Sequence, residues 1–484
     1  MHGFNYREPV IPRSRFNEPG RFGRMFPWLR GLKAFDPGPD ALGAVGGPMD
    51  GGNPPPQDIS QNNPRIRAGY TFLGQFIDHD LTLDATSILE RQVDVDGTTN
   101  FRTPAFELDS IYGLGPAVQP YLYDQPQGGR LLISPDGHDL QRNVQKRAII
   151  GDPRNDENII ISQMQLLFIK FHNKVYDTEF ADMPHGRARF EAAQTFVRWH
   201  YQWLVMNEFL PRIVGSHLAA SEIAQPSYEF TTEHAFMPVE FSVAAYRFGH
   251  SQVRPGYAVG QNRGAALFPD LADAAFTDEN GIPQDLRGFR EVPQELRIDW
   301  AFFFGPGGAS PALGQASKKI DTLISTALLK LPTGVIPQSD TRTPRLRSLA
   351  SRNLQRGIDM NLPSGQALAC HLGIPVLTDA ETWTTNGTRV GNGPAPLWFY
   401  CLREAEVKTG GHRLAGVGAK IVARTFVALM MKDKASYLVQ DPGFVPSLGS
   451  GGRFRMSDLV NYTLGGGLVS EEVSALPGDD AAVA

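Results

Sequence analysis

The chain has 484 residues, 41% hydrophobic and 20% charged, with a net charge of −5. This length suffices to bury a large cofactor. The small charge leaves no electrostatic footprint for nucleic acid or an anionic membrane. Two cysteines, Cys370 and Cys401, exclude a disulfide framework and a cysteine zinc site. Two idle thiols is the preferred reading, with one Cys370–Cys401 bridge as the alternative.

The opening residues MHGFNYREPVIPRSRF hold no apolar signal core. No stretch reaches the roughly 18 apolar residues of a membrane span. A soluble, cytoplasmic protein is expected unless a leaderless route exports it. Residues 1–65 are rich in Gly, Pro, Asn and Arg, and GGPMDGGNPPPQ (46–57) cannot be helix or central strand. They predict an extended arm on the surface, anchored by Phe, Trp and Leu at 26–35, or else a disordered tail.

From Gly69 the pattern turns helical. Gln75, Asp78 and His79 stand at i, i+3 and i+4 and share one face, with Asp80 about a quarter-turn away. Such a face is more often solvated, but Phe72, Leu73, Phe76, Ile77, Leu81 and Leu83 are greasy almost all round, so the helix is buried and its polar cluster functional. Next, Thr103, the Ala105 carbonyl, Glu107 and Asp109 offer oxygens at alternate positions. This suits either Ca²⁺, with Asp80 completing the set, or a solvated acidic loop. Arg154 and Glu157 precede a helix predicted over 159–178, for which Asn155 and Asp156 are good N-caps. In that helix Ile160, Met164, Leu167, Phe168, Phe171 and Val175 form one face. A second helix is predicted over 189–210, with Phe196, Trp199, Trp203, Val205 and Phe209 on its apolar face and Pro211 closing it.

Gly/Pro-rich loops lie at 114–140, 255–290 and 304–316. Loops this long in a helical body usually carry function. His250 lies in the run Ala245–Ser251, and Asn353 and Arg356 lie in Ala350–Gly357. A last helix is predicted over 415–432 with Val417, Ile421, Phe426 and Met430 inward. The whole reads as a mainly α-helical, single large domain over 66–465, followed by an acidic tail at 466–484.

These segments, in this order, resemble the animal-type haem peroxidases of the peroxidase–cyclooxygenase superfamily, over roughly Gly69 to Val460. The resemblance implies haem b, ester-linked through Asp78 and Glu157, with His79 and Arg154 as the distal pair and Gln75 contacting halide. It implies His250 as iron ligand, Asn353 accepting the N–H of His250, and Arg247 and Arg356 pairing with haem propionates. It also implies Ca²⁺ on Asp80, Thr103, Ala105, Glu107 and Asp109, where Glu107 and Asp109 replace the family's Asp and Ser. Asn158 stands where some members carry a sulfonium-forming Met, so no such link is expected, and His172 is assigned to structure.

The implied activity is reduction of H₂O₂ and oxidation of halide, thiocyanate or small aromatic donors, with no nucleic-acid partner. A fatty-acid oxygenase of the same superfamily is the nearest rival. Its members carry Tyr three residues before the proximal His, a position held here by Arg247, with Tyr246 one residue further back. A non-catalytic haem-binding protein is the rival of another class, although it would be free to lose His79 and Arg154.

Overall fold

The computed structural model describes residues 20–54, 58–83, 99–100, 102–124, 128–226, 235–268, 277, 283–306, 314–332 and 347–469. Parts of the loops expected at 255–290 and 304–316, the first 19 residues and most of the acidic tail lie outside them. The body is mainly α-helical, with short strands at its edges. β1 (Gly20–Gly23), β2 (Asn62–Arg67), β3 (Thr99–Asn100), β4 (Met237–Pro238), β5 (Gly256–Gly260), β6 (Arg263–Ala266) and β7 (Ala316–Lys318) pair in small groups. β1 lies between β3 and β4, β2 pairs with β7, and β5 with β6.

Residues 20–54 are not an arm laid on the surface. Met25, Phe26, Leu42 and Met49 are buried in the main core. The cause is a partner remote in sequence: the buried Glu240 carboxylate accepts the backbone N–H groups of Met25 and Phe26 at 3.0 and 3.1 Å. This meets the hydrogen-bonding need of a chain that makes no helix there. Of the expected anchors, Trp28 stays 60% exposed.

α1 (Pro39–Gly43) is short. α2 (Ala68–Leu81) is buried on most faces and packs on α3 (Asp109–Tyr112), α4 (Ile159–Thr178), α8 (Gly249–Gln252) and β7. Gly69 lets the helical turn Ala301–Phe304 come close to α2 as well, since a Cβ there would stand 2.7 Å from the Phe303 carbonyl oxygen. α4 buries the expected face and also Ile161, Leu166 and Ile169, so it is a central helix. Its N-cap is Asn158, whose Oδ1 accepts from the Ile161 N–H at 2.9 Å. Asn155 and Asp156 do not cap it, because they sit in the preceding 3₁₀ turn, Pro153–Asp156.

α5 (Arg187–Leu204) buries Phe190, Ala193, Val197, Tyr201 and Leu204, while Phe196, Trp199 and Trp203 are only half-buried. Pro211 does not end the helical run. A π turn over Val205–Phe209 resets the register, and Pro211 falls in the first turn of α6 (Leu210–Val214), where a missing N–H costs nothing. α7 (Ser216–Ala224), α9 (Leu349–Asp359), α10 (Leu397–Thr409), α11 (Gly416–Lys432) and α12 (Met456–Leu464) complete the main helices. Val417, Ile421, Phe426 and Met430 of α11 all face inward. Among the described residues no helix is long and apolar enough to cross a membrane. Both cysteines are free thiols, Cys370 exposed and Cys401 buried.

Candidate active site

α2 carries Gln75, Asp78 and His79 to one place and Asp80 to another. Gln75 Nε2 donates a short hydrogen bond to Glu157 Oε1, and His79 Nε2 stands 4.0 Å from that same oxygen. On its other side, His79 Nδ1 meets Asn155 Oδ1 at 2.6 Å. Burial, then the neighbouring Arg154 charge, lowers the His79 pKa to about 4, so the imidazole is neutral near pH 7. Asp78 Oδ1 accepts from the Thr82 hydroxyl at 3.1 Å.

Arg154 lies beside this cluster and is held there through its Nε and Nη2. Its Nη2 donates to the His79 carbonyl at 3.1 Å and to Asp152 at 2.7 Å, and its Nε donates to both Asp152 oxygens at 3.2 Å. Asp152 is fully buried and also holds Arg102, at 2.6 Å. Two guanidinium groups keep its carboxyl far below the usual carboxylate range. Asp152 and Arg102 escaped the sequence reading, and Asn155 was read only as an N-cap. Nothing in a Gly-Asp-Pro-Arg-Asn run marks a loop as buried, and the burial comes from α4 and α2 closing over it.

The second cluster lies on α8 and α9. Burial and the adjacent Arg247 lower the His250 pKa to about 3, which leaves it a neutral imidazole. Its Nδ1 stands 2.7 Å from Asn353 Nδ2. The contact joins the expected residues but in the reverse sense, because the amide presents its NH₂ group where an N–H acceptor was expected. A half-turn of the amide presents Oδ1 instead. Arg247 Nε donates to the Ser242 carbonyl at 2.8 Å, and Trp398 Nε1 donates to the Arg247 carbonyl at 3.1 Å. Arg356 is half-exposed on α9.

The two clusters lie on helices in contact, α2 and α8. The Glu157 side chain is 40% accessible, yet burial raises its pKa to about 7. A carboxyl that is accessible and yet desolvated by the protein around it lines a recessed space. Gln75, Asp78, Arg247 and His250 are likewise half-accessible amid buried neighbours such as Phe76, Ile77 and Phe248. A neutral imidazole with an amide on its far nitrogen, arginines beside it, and a second neutral imidazole together suit a haem.

Asp80 points away from this space. Its oxygens accept the Asp109 N–H at 3.1 Å and the Tyr201 hydroxyl at 3.2 Å. Burial, then the Asp109 and Glu107 carboxylates, push its pKa well up, and burial raises Glu107 to about 7. The Ala105 carbonyl accepts the Glu107 N–H at 3.0 Å, and the Thr103 carbonyl accepts the Ala105 N–H at 2.8 Å. Among the described residues no three His, Cys, Asp or Glu side chains converge as a ready metal cage. His172 is buried between the Tyr112 hydroxyl at 3.0 Å and the Gly129 carbonyl at 2.8 Å.

A family described as animal haem peroxidase matches residues 97–389, a range that begins just after α2. The chain is 26% identical to chorion peroxidase of Drosophila melanogaster over 59% of its own length and 34% of that protein. It is 26% identical to thyroid peroxidase of Sus scrofa over 51% and 24%. It thus spans about a quarter to a third of such curated relatives. Among solved structures, peroxidase A of Dictyostelium discoideum aligns with a TM-score of 0.58 at 16% identity, covering 96% of this chain and 95% of that one. A fatty acid alpha-dioxygenase of Arabidopsis thaliana aligns at 0.55 with 14% identity, covering 85% and 75%. At these identities the likeness is one of fold.

Proposed function

Because the chain belongs to the animal haem peroxidase family, we propose that it is a haem-dependent peroxidase that reduces H₂O₂ at the expense of a small reducing substrate. The observation that carries this reading is the pair of neutral imidazoles, His79 and His250, on two helices in contact, α2 and α8. His250 would hold the haem iron, with Asn353 turned to accept its Nδ1–H, and Arg247 and Arg356 would meet the haem propionates. Bound haem supplies the iron that takes up the oxidising equivalents of peroxide and passes them on. His79 Nε2 takes the proton from one peroxide oxygen and returns it to the other, which leaves as water. Arg154, held by Asp152, stabilises the negative charge of the departing oxygen.

Gln75 faces the recessed space and favours access by halide or thiocyanate, with small aromatic donors as the other class. Asp78 and Glu157 are the candidates for ester links, which peptide mass spectrometry reads directly. Asp80, Glu107 and Asp109, with Thr103 and the Ala105 carbonyl, form the candidate Ca²⁺ loop. A divalent cation held there would relieve the repulsion among its carboxylates, and Asp80 would have to turn from Tyr201 to reach it. The fatty-acid oxygenase alternative asks for a tyrosyl hydroxyl facing substrate, whereas Tyr246 donates to the Gly74 carbonyl at 3.2 Å.

The test is an absorption spectrum before and after one equivalent of H₂O₂. The haem-loaded chain should show a Soret band that changes at once. His250→Ala should lose that band. His79→Ala should keep it and react slower by about 10² to 10⁴. Equal haem occupancy and equal peroxide reactivity in both variants sink the assignment.

A further inference from the structure

His79 is a useful base only in one of its two neutral forms. If the proton sits on Nε2, the ring presents an N–H to the recessed space and cannot accept a proton there. A neutral imidazole chooses between its forms by what its other nitrogen meets. That partner is Asn155, itself ambiguous, since its amide can present either oxygen or nitrogen. Two further buried contacts remove the ambiguity.

Asn155 Nδ2 stands 2.8 Å from Gln165 Oε1 on α4, and Gln165 Nε2 stands 3.0 Å from the Ser110 backbone carbonyl at α3. A backbone carbonyl only accepts, so Gln165 must present Nε2 to it and Oε1 to Asn155. Asn155 must then present Nδ2 to Gln165 and Oδ1 to His79, at 2.6 Å. His79 Nδ1 must therefore be the donor. Asn155, Gln165 and Ser110 are fully buried, and His79 is 5% exposed. Water cannot rescue a reversed amide there, and reversal of any member sets like groups against each other.

We infer that Asn155 and Gln165 are positioning residues: a one-way amide relay from the Ser110 carbonyl holds His79 as the Nδ1–H tautomer, with the Nε2 lone pair turned to the reacting peroxide. The inference rests on the peroxidase reading for its use, but not for its geometry. It also ties the distal base to the loop that ends at α3 through side chains on a different helix, independently of Asp80.

The experiment uses the full chain loaded with diamagnetic zinc protoporphyrin and ¹⁵N-labelled at histidine, with the His79 signals assigned by loss in His79→Gln. Wild type should show a protonated Nδ1 and a bare Nε2. Asn155→Leu and Gln165→Met should each shift His79 toward the Nε2–H form, whereas Asn155→Asp, which still accepts, should keep Nδ1–H. In the haem-loaded chain the first two should slow peroxide consumption on the order of tenfold to a hundredfold with the Soret band kept.

His172 and His200 are internal controls, since the Gly129 and Phe196 carbonyls fix their tautomers at 2.8 Å each. A wild-type His79 protonated at Nε2 overturns the relay whether or not any variant folds. So does an unchanged tautomer in both variants with the controls intact. A chain that ignores peroxide while showing the expected tautomers instead overturns the peroxidase reading and leaves the relay standing.

Discussion

At the scale of single residues, the site is governed by desolvation. The His79 pKa lies at about 4 in the folded chain against an ordinary 6.5. Its contribution to stability is therefore complete above pH 6.5 and is lost as pH falls through 4. The stability difference between wild type and His79→Gln should shrink across that window in chemical denaturation. The initial rate of peroxide consumption should hold down to about pH 4 and drop below it. Asp152 is the other sensitive residue. Asp152→Ala leaves Arg102 and Arg154 facing each other in the interior and should cost about 3–5 kcal/mol in urea unfolding. The shared helix face of Gln75 and His79 was legible from spacing, whereas His250 was reached only through the family resemblance. The state of each imidazole was not legible, because Asn155, Gln165 and Asp152 act through contacts that only the packed fold creates.

At the scale of elements, the 3₁₀ turn Pro153–Asp156 and the start of α4 form a short shelf for Arg154, Asn155 and Glu157, and residues 286–289 clamp it. The Gly288 N–H donates to the Glu157 carbonyl at 3.0 Å, the Phe289 N–H to the Asp156 carbonyl at 2.7 Å, and the Ile159 N–H to the Leu286 carbonyl at 2.8 Å. A Cβ on Gly288 would stand 1.8 Å from the Asp156 carbonyl oxygen, so one of the two strands must shift. Gly288→Ala should lower stability by about 1–3 kcal/mol and slow the reaction with peroxide, read by thermal unfolding and stopped-flow absorbance. An unchanged rate would show that the shelf tolerates displacement. The sequence pointed to α4 through its period of three and four, but α5 misled. The half-buried Phe196, Trp199 and Trp203 looked like a core face, while the core took Phe190, Val197 and Tyr201. Aromatic size reads as burial in a sequence even where a ring lies along the surface. Pro211 misled for a different reason, since no pattern announced the π turn that accommodates it.

At the scale of the molecule, helical content and a single main core were legible from composition and periodicity. The fate of residues 20–50 was not, because a Gly- and Pro-rich segment is held by partners remote in sequence, chiefly Glu240. The same remoteness governs the recessed space. Its walls come from α2, the shelf before α4, α8 and α9, so none of it exists until long-range packing is nearly complete. Once formed, it is ringed by buried aromatic and aliphatic side chains and clamped at residues 286–289. A rigid macrocycle then meets a finished wall, whereas a chain still condensing can close around it. The order of events in maturation thus becomes a property of the architecture. Refolding from denaturant with haem present should give a higher Soret-to-protein absorbance ratio than haem added to the folded chain, and holoprotein yield in a cell should track haem supply during synthesis rather than after it.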